Sequence, residues 1–360
     1  MNGGVKDQGW DPYEKKEGTE EDLWFLPGPD LEDEEVPLGA APLPIANRKA
    51  LFNPAEWKVA QDALSGDLAR LALVFGELDL RLREAPSGFR QRLALREATD
   101  LSWWTGDRLA PDQLGLWVAL RVGSTDDTEL ALLRGGWAVR RLVGGPFPAD
   151  GFGRFLGRAE TTAGRATPDP TAAVEFGAAH DLTELLATLG ELHPVTQAAI
   201  LFQAWRIIGV EQTRDLEAAV LAARHGASMS RLPGQGAAFL PLAMTGPGAF
   251  MGQGGPERKL AAWIRGAEQA CLGALLHLDR LLEWRRRAVR ESVDLSGRVP
   301  ALLIDALASW PLVSAPLAEA ETGASRAAVQ RNLDILHARG LVREVTGQGR
   351  YRVWTARLPV

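Results

Sequence analysis

A single cysteine, Cys271, stands in the 360 residues of the chain. One thiol closes no intramolecular disulfide and builds no cysteine-based zinc site, so neither an oxidising compartment nor a structural metal is indicated. A reduced cytoplasm is the expected setting. Long apolar runs are missing as well: the most apolar stretch, Ala198 to Val210, is interrupted by Gln203 and Arg206 and falls short of the ~20 residues a membrane span requires. It reads as a core helix, and no membrane partner is expected. The first residues are polar, with no apolar run where a secretory signal would need one, so secretion is not expected. Positive charge is in deficit, with a net charge of −6. That argues against a chain coating nucleic acid over its whole surface and leaves open one basic face offset by an acidic tail. Against these absences the bulk composition is ordinary: 46% hydrophobic and 24% charged residues describe a globular body with a core, and at ~150 residues per domain the length suggests about two domains.

Charge and turn residues divide the chain into three. Between Met1 and Val36, acids such as Asp7, Glu14, Glu20, Asp30 and Glu34 face only Lys6, Lys15 and Lys16. Such a segment repels itself and is expected to be largely disordered. Its apolar interruption, Leu23-Trp24-Phe25-Leu26-Pro27, is suited to docking on the body of the protein or on a protein partner. With the Pro-rich spacer Pro37 to Pro44 this makes an arm over 1–44. A helical domain over 45–294 follows, and a distinct C-terminal module occupies 295–360.

Helical periodicity dominates the middle segment. Leu64, Leu68, Leu71, Phe75, Leu78 and Leu82 form one stripe, preceded by the cap-and-proline pair Asn53-Pro54. Further helices are expected from Phe89 to Gly106, from about Asp112, over Thr128 to Val143, and over Thr183 to Leu192, Pro194 to Gly209 and Asp215 to His225. Gly144 to Pro170 reads as a long loop, and Pro233 to Pro256 as a second Gly/Pro-rich connection whose Phe239, Leu240, Phe250 and Met251 pack on the body. A long helix is expected from about Pro256 to Val293, with a seam of Leu260, Ile264, Ala267, Cys271, Leu275, Leu278 and Leu282. That seam suits a bundle core within the chain or a homodimer through the helical domain.

The last 60 or so residues carry a pattern with a mechanism. Two short helices, Pro300 to Trp310 and Ser314 to Ala320, lead to the turn Glu321-Thr322-Gly323-Ala324-Ser325. Ser325 then caps a third helix, Arg326 to Arg339, with Val329, Leu333 and Leu336 inward. Two alternating strands, Leu341 to Val345 and Arg350 to Trp354, flank the hairpin tip Thr346-Gly347-Gln348-Gly349. Three helices with a glycine turn before the third, closed by a hairpin, predict a winged helix-turn-helix. The fold class is therefore mainly α: a multi-helix bundle followed by that module. In such a module the N-terminal residues of the third helix lie nearest the base edges of the major groove, here Ser325, Arg326, Ala327, Gln330 and Arg331. Arginine and glutamine suit guanine and adenine, Ala327 a thymine methyl, and Ser325 a phosphate. Gln348, Arg350 and Arg352 of the wing are placed along the backbone or minor groove.

No active site emerges beside this module. His180, His193, His225, His277 and His337 are dispersed, with no pair at metal-ligand spacing, so neither metal nor cofactor is expected. Gly151 to Gly157 has the wrong spacing for a dinucleotide loop, and Gly252 to Lys259 lacks the lysine-hydroxyl pair of a phosphate loop. Fic-type proteins also join a helical body to a C-terminal winged helix, but their His-Pro-Phe and Gly-Asn-Gly-Arg signatures are reduced here to His193-Pro194, leaving His193 as a cap or core residue. A closer resemblance rests on Leu95-Arg96-Glu97-Ala98, Ser102-Trp103-Trp104-Thr105-Gly106, Thr128-Glu129-Leu130, the helix from His193 with Trp205, and the tail Arg326 to Trp354. With these motifs the chain resembles a family of uncharacterised bacterial proteins, often carried on rhizobial and other alphaproteobacterial plasmids, which end in a helix-turn-helix DNA-binding domain. The resemblance implies the same architecture and a DNA-binding domain with double-stranded DNA as partner, and leaves the purpose of the helical body open; with no active site legible in the residues, no enzymatic role is expected. The expectation is a transcriptional regulator whose helical domain dimerises or senses a partner. The alternative is a non-enzymatic adaptor using the winged helix and acidic arm to bind proteins.

Overall fold

The computed structural model describes residues 52–120, 126–157, 170–209, 214–346 and 352–359. The chain divides into two units, Met1–Ala46 and Asn47–Val360, and all of the described residues belong to the second. The acidic arm and its Trp24-Phe25 plug thus lie outside the described residues.

Helix α1 (Pro54–Ala63) starts where Asn53 accepts the Ala55 N–H, and α2 (Ser65–Glu84) follows after a break at Leu64. The expected single stripe is therefore split. Leu68, Leu71, Phe75, Leu78 and Leu82 all face inward from α2, while Leu64 donates its N–H back to Ala60 and closes α1. Helix α3 (Gly88–Thr105) ends on Gly106, whose φ of +96° is the left-handed stop that glycine supplies without a Cβ clash. Next come α4 (Pro111–Leu120), α5 (Asp126–Val143) and the short α6 (Phe152–Leu156). The last lies inside what reads as a loop, because Phe152, Phe155 and Leu156 are buried together.

Helix α7 (Pro170–Thr188) begins earlier and ends earlier than the expected Thr183 to Leu192. Its alanine-rich start favours helix, and tight turns from Leu189 to Leu192 lead to the extended His193 that Pro194 demands. Helices α8 (Pro194–Ile208) and α9 (Arg214–Gly226) form the centre of the body. Both are buried nearly all round: α8 is largely apolar, whereas α9 buries Glu217 and Arg224 with hydrogen-bond partners, the Trp205 indole N–H and the Ala238 carbonyl.

Helix α10 (Pro256–Arg290) runs 35 residues and packs on α1, α2, α8 and the turn Gly248–Met251. Its seam from Leu260 to Leu278 is buried within the chain, while Leu282 is half-buried and Met251 exposed. Gly266 permits the close approach of that turn, since a Cβ there would lie 2.1 Å from the Ala249 nitrogen. Gly266→Ala is expected to lower stability by about 1–3 kcal/mol, because backbone must shift to admit one methyl. Equilibrium urea unfolding checks this, and an unchanged midpoint would contradict the packing.

The C-terminal residues fold as α11 (Val299–Ser309), β1 (Val313–Ser314), α12 (Ala315–Thr322), α13 (Arg326–Ala338), β2 (Val342–Glu344) and β3 (Val353–Ala356). The sheet order is β1-β3-β2, antiparallel throughout, with Val313 opposite Trp354 and Val342 opposite Ala356. Strand β1 is additional to the two expected strands, and β3 lies further along the chain than Arg350 to Trp354. The second strand pairs where its apolar residues Val353, Trp354 and Ala356 are buried and the strand packs on α11. No described helix is long and apolar enough to cross a membrane.

Candidate nucleic-acid interface

The local chemistry of the C-terminal module explains its shape. Ser314 caps α12 by accepting the Leu317 N–H, and Gly323 at φ +62° ends that helix in the left-handed region. Two residues later Ser325 accepts the Ala328 N–H and starts α13. Caps on both sides of a left-handed glycine fix the turn between the two helices. Val329, Leu333 and Leu336 hold the inner face of α13, and Asn332 beside them donates to the Ala328 carbonyl at 2.8 Å.

On the opposite face Ser325, Arg326, Ala327 and Arg331 are exposed, and Gln330 is half-buried. The five side chains proposed from the pattern thus fall on or beside one open surface at the N-terminal half of α13. Their electrostatic states differ. Arg326 donates from Nε to Glu319 of α12 at 2.7 Å, and Gln330 donates to Asp334 at 3.0 Å. No described carboxylate pairs with Arg331. Arg352 is the most restrained: it donates to Glu344 at 2.8 Å and Asp334 at 3.1 Å, and lies 5.0 Å from the Trp354 ring centre. Those hydrogen bonds raise its already high pKa. Gln348 and Arg350 lie outside the described residues.

Glu319, Asp334 and Glu344 are the residues that sequence reading passed over. Asp334 had a visible signal, standing one turn after Gln330. The others act across elements.

The helical body leaves this surface free. It holds the module through other parts: α11 packs on α3 and α10, and Arg92 of α3 donates to the Leu307 and Trp310 carbonyls. Trp284 of α10 donates to the Leu341 carbonyl at 2.8 Å, and Arg285 pairs with Asp305. Arg339, at the far end of α13, makes a two-pronged pair with Asp294, 2.7 Å for each bond. A single core cluster spans body and module, including Leu278, Trp284, Leu307, Val313, Leu333 and Trp354.

Elsewhere, His193 is a helix cap: its Nδ1 accepts the Val195 N–H at 3.2 Å, and its own N–H donates to Gln61. Among the described residues, no three His, Cys, Asp or Glu side chains gather as a metal site.

Residues 300–356 match the family model of an HTH DNA binding domain. No curated protein matches the chain. The matched segment spans α11 to β3, so the C-terminal module is a helix-turn-helix domain of the DNA-binding kind.

Proposed function

We propose that the chain is a transcriptional regulator that reads double-stranded DNA with this helix-turn-helix domain while its helical body supplies dimerisation or sensing. The observation that carries the reading is the exposed, capped N-terminal half of α13, standing clear of every contact the body makes with the domain. Arg331, Arg326 and Gln330 meet base edges, Ala327 and Ser325 fill methyl and phosphate contacts, and Gln348, Arg350 and Arg352 follow the backbone. The total charge does not oppose this. Residues 1–36 hold twelve acids and three lysines, a sum of −9, so the rest of the chain carries +3 of the total −6. A cytoplasmic site of action and a bacterial, plasmid-borne setting belong to the same proposal.

Arg331→Ala is expected to weaken specific binding by about 1–3 kcal/mol, the usual worth of a base contact. Arg326→Ala costs less, because the arginine must first leave Glu319, and Glu319→Gln should tighten binding. Arg350→Ala should weaken all sequences alike and lower the salt slope by about one. Fluorescence polarisation on genomic fragments measures all four. No binding by the wild type at low salt overturns the reading. On a dimer, two half-sites one helical turn apart, about 34–36 Å, are expected in the footprint. Exposed Leu73 and Leu80 of α2 and Leu272 and Leu276 of α10 support a partner copy on the body.

The carboxylates that hold Arg326 and Arg352 favour a second reading, an adaptor whose module binds protein. Protein partners retained in stoichiometric amount after nuclease treatment would select it.

A further inference from the structure

Between the second half of α3 and the turn at residues 243–247 lies a cavity of about 410 Å³, within the usual size of small-molecule sites. Its wall carries one cation and one anion, Arg96 and Asp100, a turn apart on α3, with Nε donating to Oδ2 at 2.8 Å. Among the described residues neither side chain makes another hydrogen bond. The guanidinium Nη donors and the second carboxylate oxygen therefore remain for a ligand.

The rest of the wall is apolar and already in position. Trp103 is 59% exposed, yet its Nε1 donates to the Leu109 carbonyl at 3.0 Å, which fixes the ring. Trp104 stacks on Phe250 at 4.3 Å, and Met244 and Pro247 line the opposite side. Glu97, fully buried, accepts the N–H groups of both Leu242 and Ala243 at 2.8 and 3.0 Å and so anchors that turn. A wall held this way loses little entropy when a ligand arrives.

We propose that this cavity binds a small zwitterion with an apolar side chain, of the α-amino-acid class. The carboxylate meets Arg96, the ammonium meets Asp100, and the side chain lies against the two indoles and Met244. A lone anion would have to sit beside Asp100 and a lone cation beside Arg96, whereas a zwitterion satisfies both. The site has a path to the DNA-binding domain. Arg92, one turn before Arg96 on α3, holds the carbonyls at the end of α11. A ligand that shifts α3 therefore alters the seating of that domain; this regulatory half rests on the DNA-binding reading.

Isothermal calorimetry on the full chain with L-phenylalanine, L-leucine and L-methionine tests the cavity. Binding of at least one is expected, weakened about tenfold or more in each of Arg96→Gln and Asp100→Asn. For that amino acid, the analogues lacking the ammonium or the carboxylate, 3-phenylpropionate and phenethylamine in the phenylalanine case, should bind about tenfold more weakly or worse. No heat from any of the three up to millimolar concentration, or equal binding by both folded variants or either analogue, overturns the proposal. Circular dichroism establishes that the variants fold. The bound amino acid should also change the affinity for DNA by about fivefold or more. Unchanged DNA affinity with the ligand bound overturns only the regulatory half. If the wild type binds no DNA at all, the DNA-binding reading fails while calorimetry still decides the cavity.

Discussion

Trp284→Ala is expected to lower the unfolding free energy by about 3–5 kcal/mol, the range for removing a buried large aromatic side chain. The indole is 1% exposed on α10, and its Nε1 donates to the Leu341 carbonyl where the chain leaves α13 for β2. The substitution thus opens a cavity at the joint between body and DNA-binding domain and leaves the Leu341 carbonyl with the Arg357 N–H alone, 3.0 Å away. Trp284→Phe keeps most of the ring and loses the hydrogen bond, so a smaller cost of about 1–3 kcal/mol is expected. Because one core cluster runs through both parts, the wild type should unfold in a single transition. Urea unfolding followed by far-ultraviolet circular dichroism measures the three proteins. A loss below that of Trp284→Phe would mean that the indole is not the joint.

That joint lies beyond the reach of local sequence patterns, whereas the elements it connects do not. Asn53, Ser314 and Ser325 before helices, and Gly106 and Gly323 after them, act through neighbours two to four residues away. Their effect is visible in the order of residue types. The inward stripe of α13 is equally local, so the exposed positions of Ser325, Arg326, Ala327 and Arg331 follow from it. Strand β1 could not be read this way. Two residues make no period, and Val313 becomes a strand only because Trp354 pairs with it from the far end of the domain. The bond from Trp284 to Leu341 similarly joins two segments separated by α11, α12 and α13.

The charge state of the candidate interface shows the same division. Counting arginines against acids from Arg298 onward gives a mildly basic domain, and it treats Arg326, Arg331 and Arg352 alike. Folding separates them. Arg352 meets Glu344 across the β-hairpin and Asp334 of α13, Arg326 meets Glu319 across the turn, and no described carboxylate reaches Arg331. The cavity beside Arg96 and Asp100 was hidden for a related reason. The pair and the two indoles have helical spacing, but the other side of the wall comes from Met244 and Pro247, in a connection brought to α3 across more than 130 residues by the bonds of Glu97 to Leu242 and Ala243 and by the stacking of Trp104 on Phe250.

Glu97 also sets the second large expectation, a stability maximum near pH 6.5. Burial pushes its pKa from 4.5 up to about 8, with the Leu242 and Ala243 N–H groups partly opposing the shift. Over that interval the folded chain keeps a proton that the unfolded chain releases, so stability falls as pH rises from about 4.5 to about 8. Asp100, raised mainly by burial, acts in the same sense. His225 and His277 act oppositely. Burial holds them neutral, with pKa values lowered from 6.5 to about 4 and about 3, and for His277 the charges of Arg92, Arg96 and Arg280 add to the effect. The unfolded chain takes up those protons first, so stability is lost as pH falls below 6.5. Each group contributes a slope of up to about 1.4 kcal/mol per pH unit. Two rising contributions outweigh the falling one of Glu97 below pH 6.5, and Glu97 alone remains between 6.5 and 8. Glu97→Gln preserves an acceptor for both N–H groups and should flatten the alkaline side without moving the acid side in the same way. His277→Gln leaves one rising contribution against the falling one of Glu97, so the acid side should become nearly flat between about pH 5 and 6.5. Urea titrations from pH 5 to 9 would show both limbs, and an alkaline limb identical in the wild type and Glu97→Gln would assign that limb to another group.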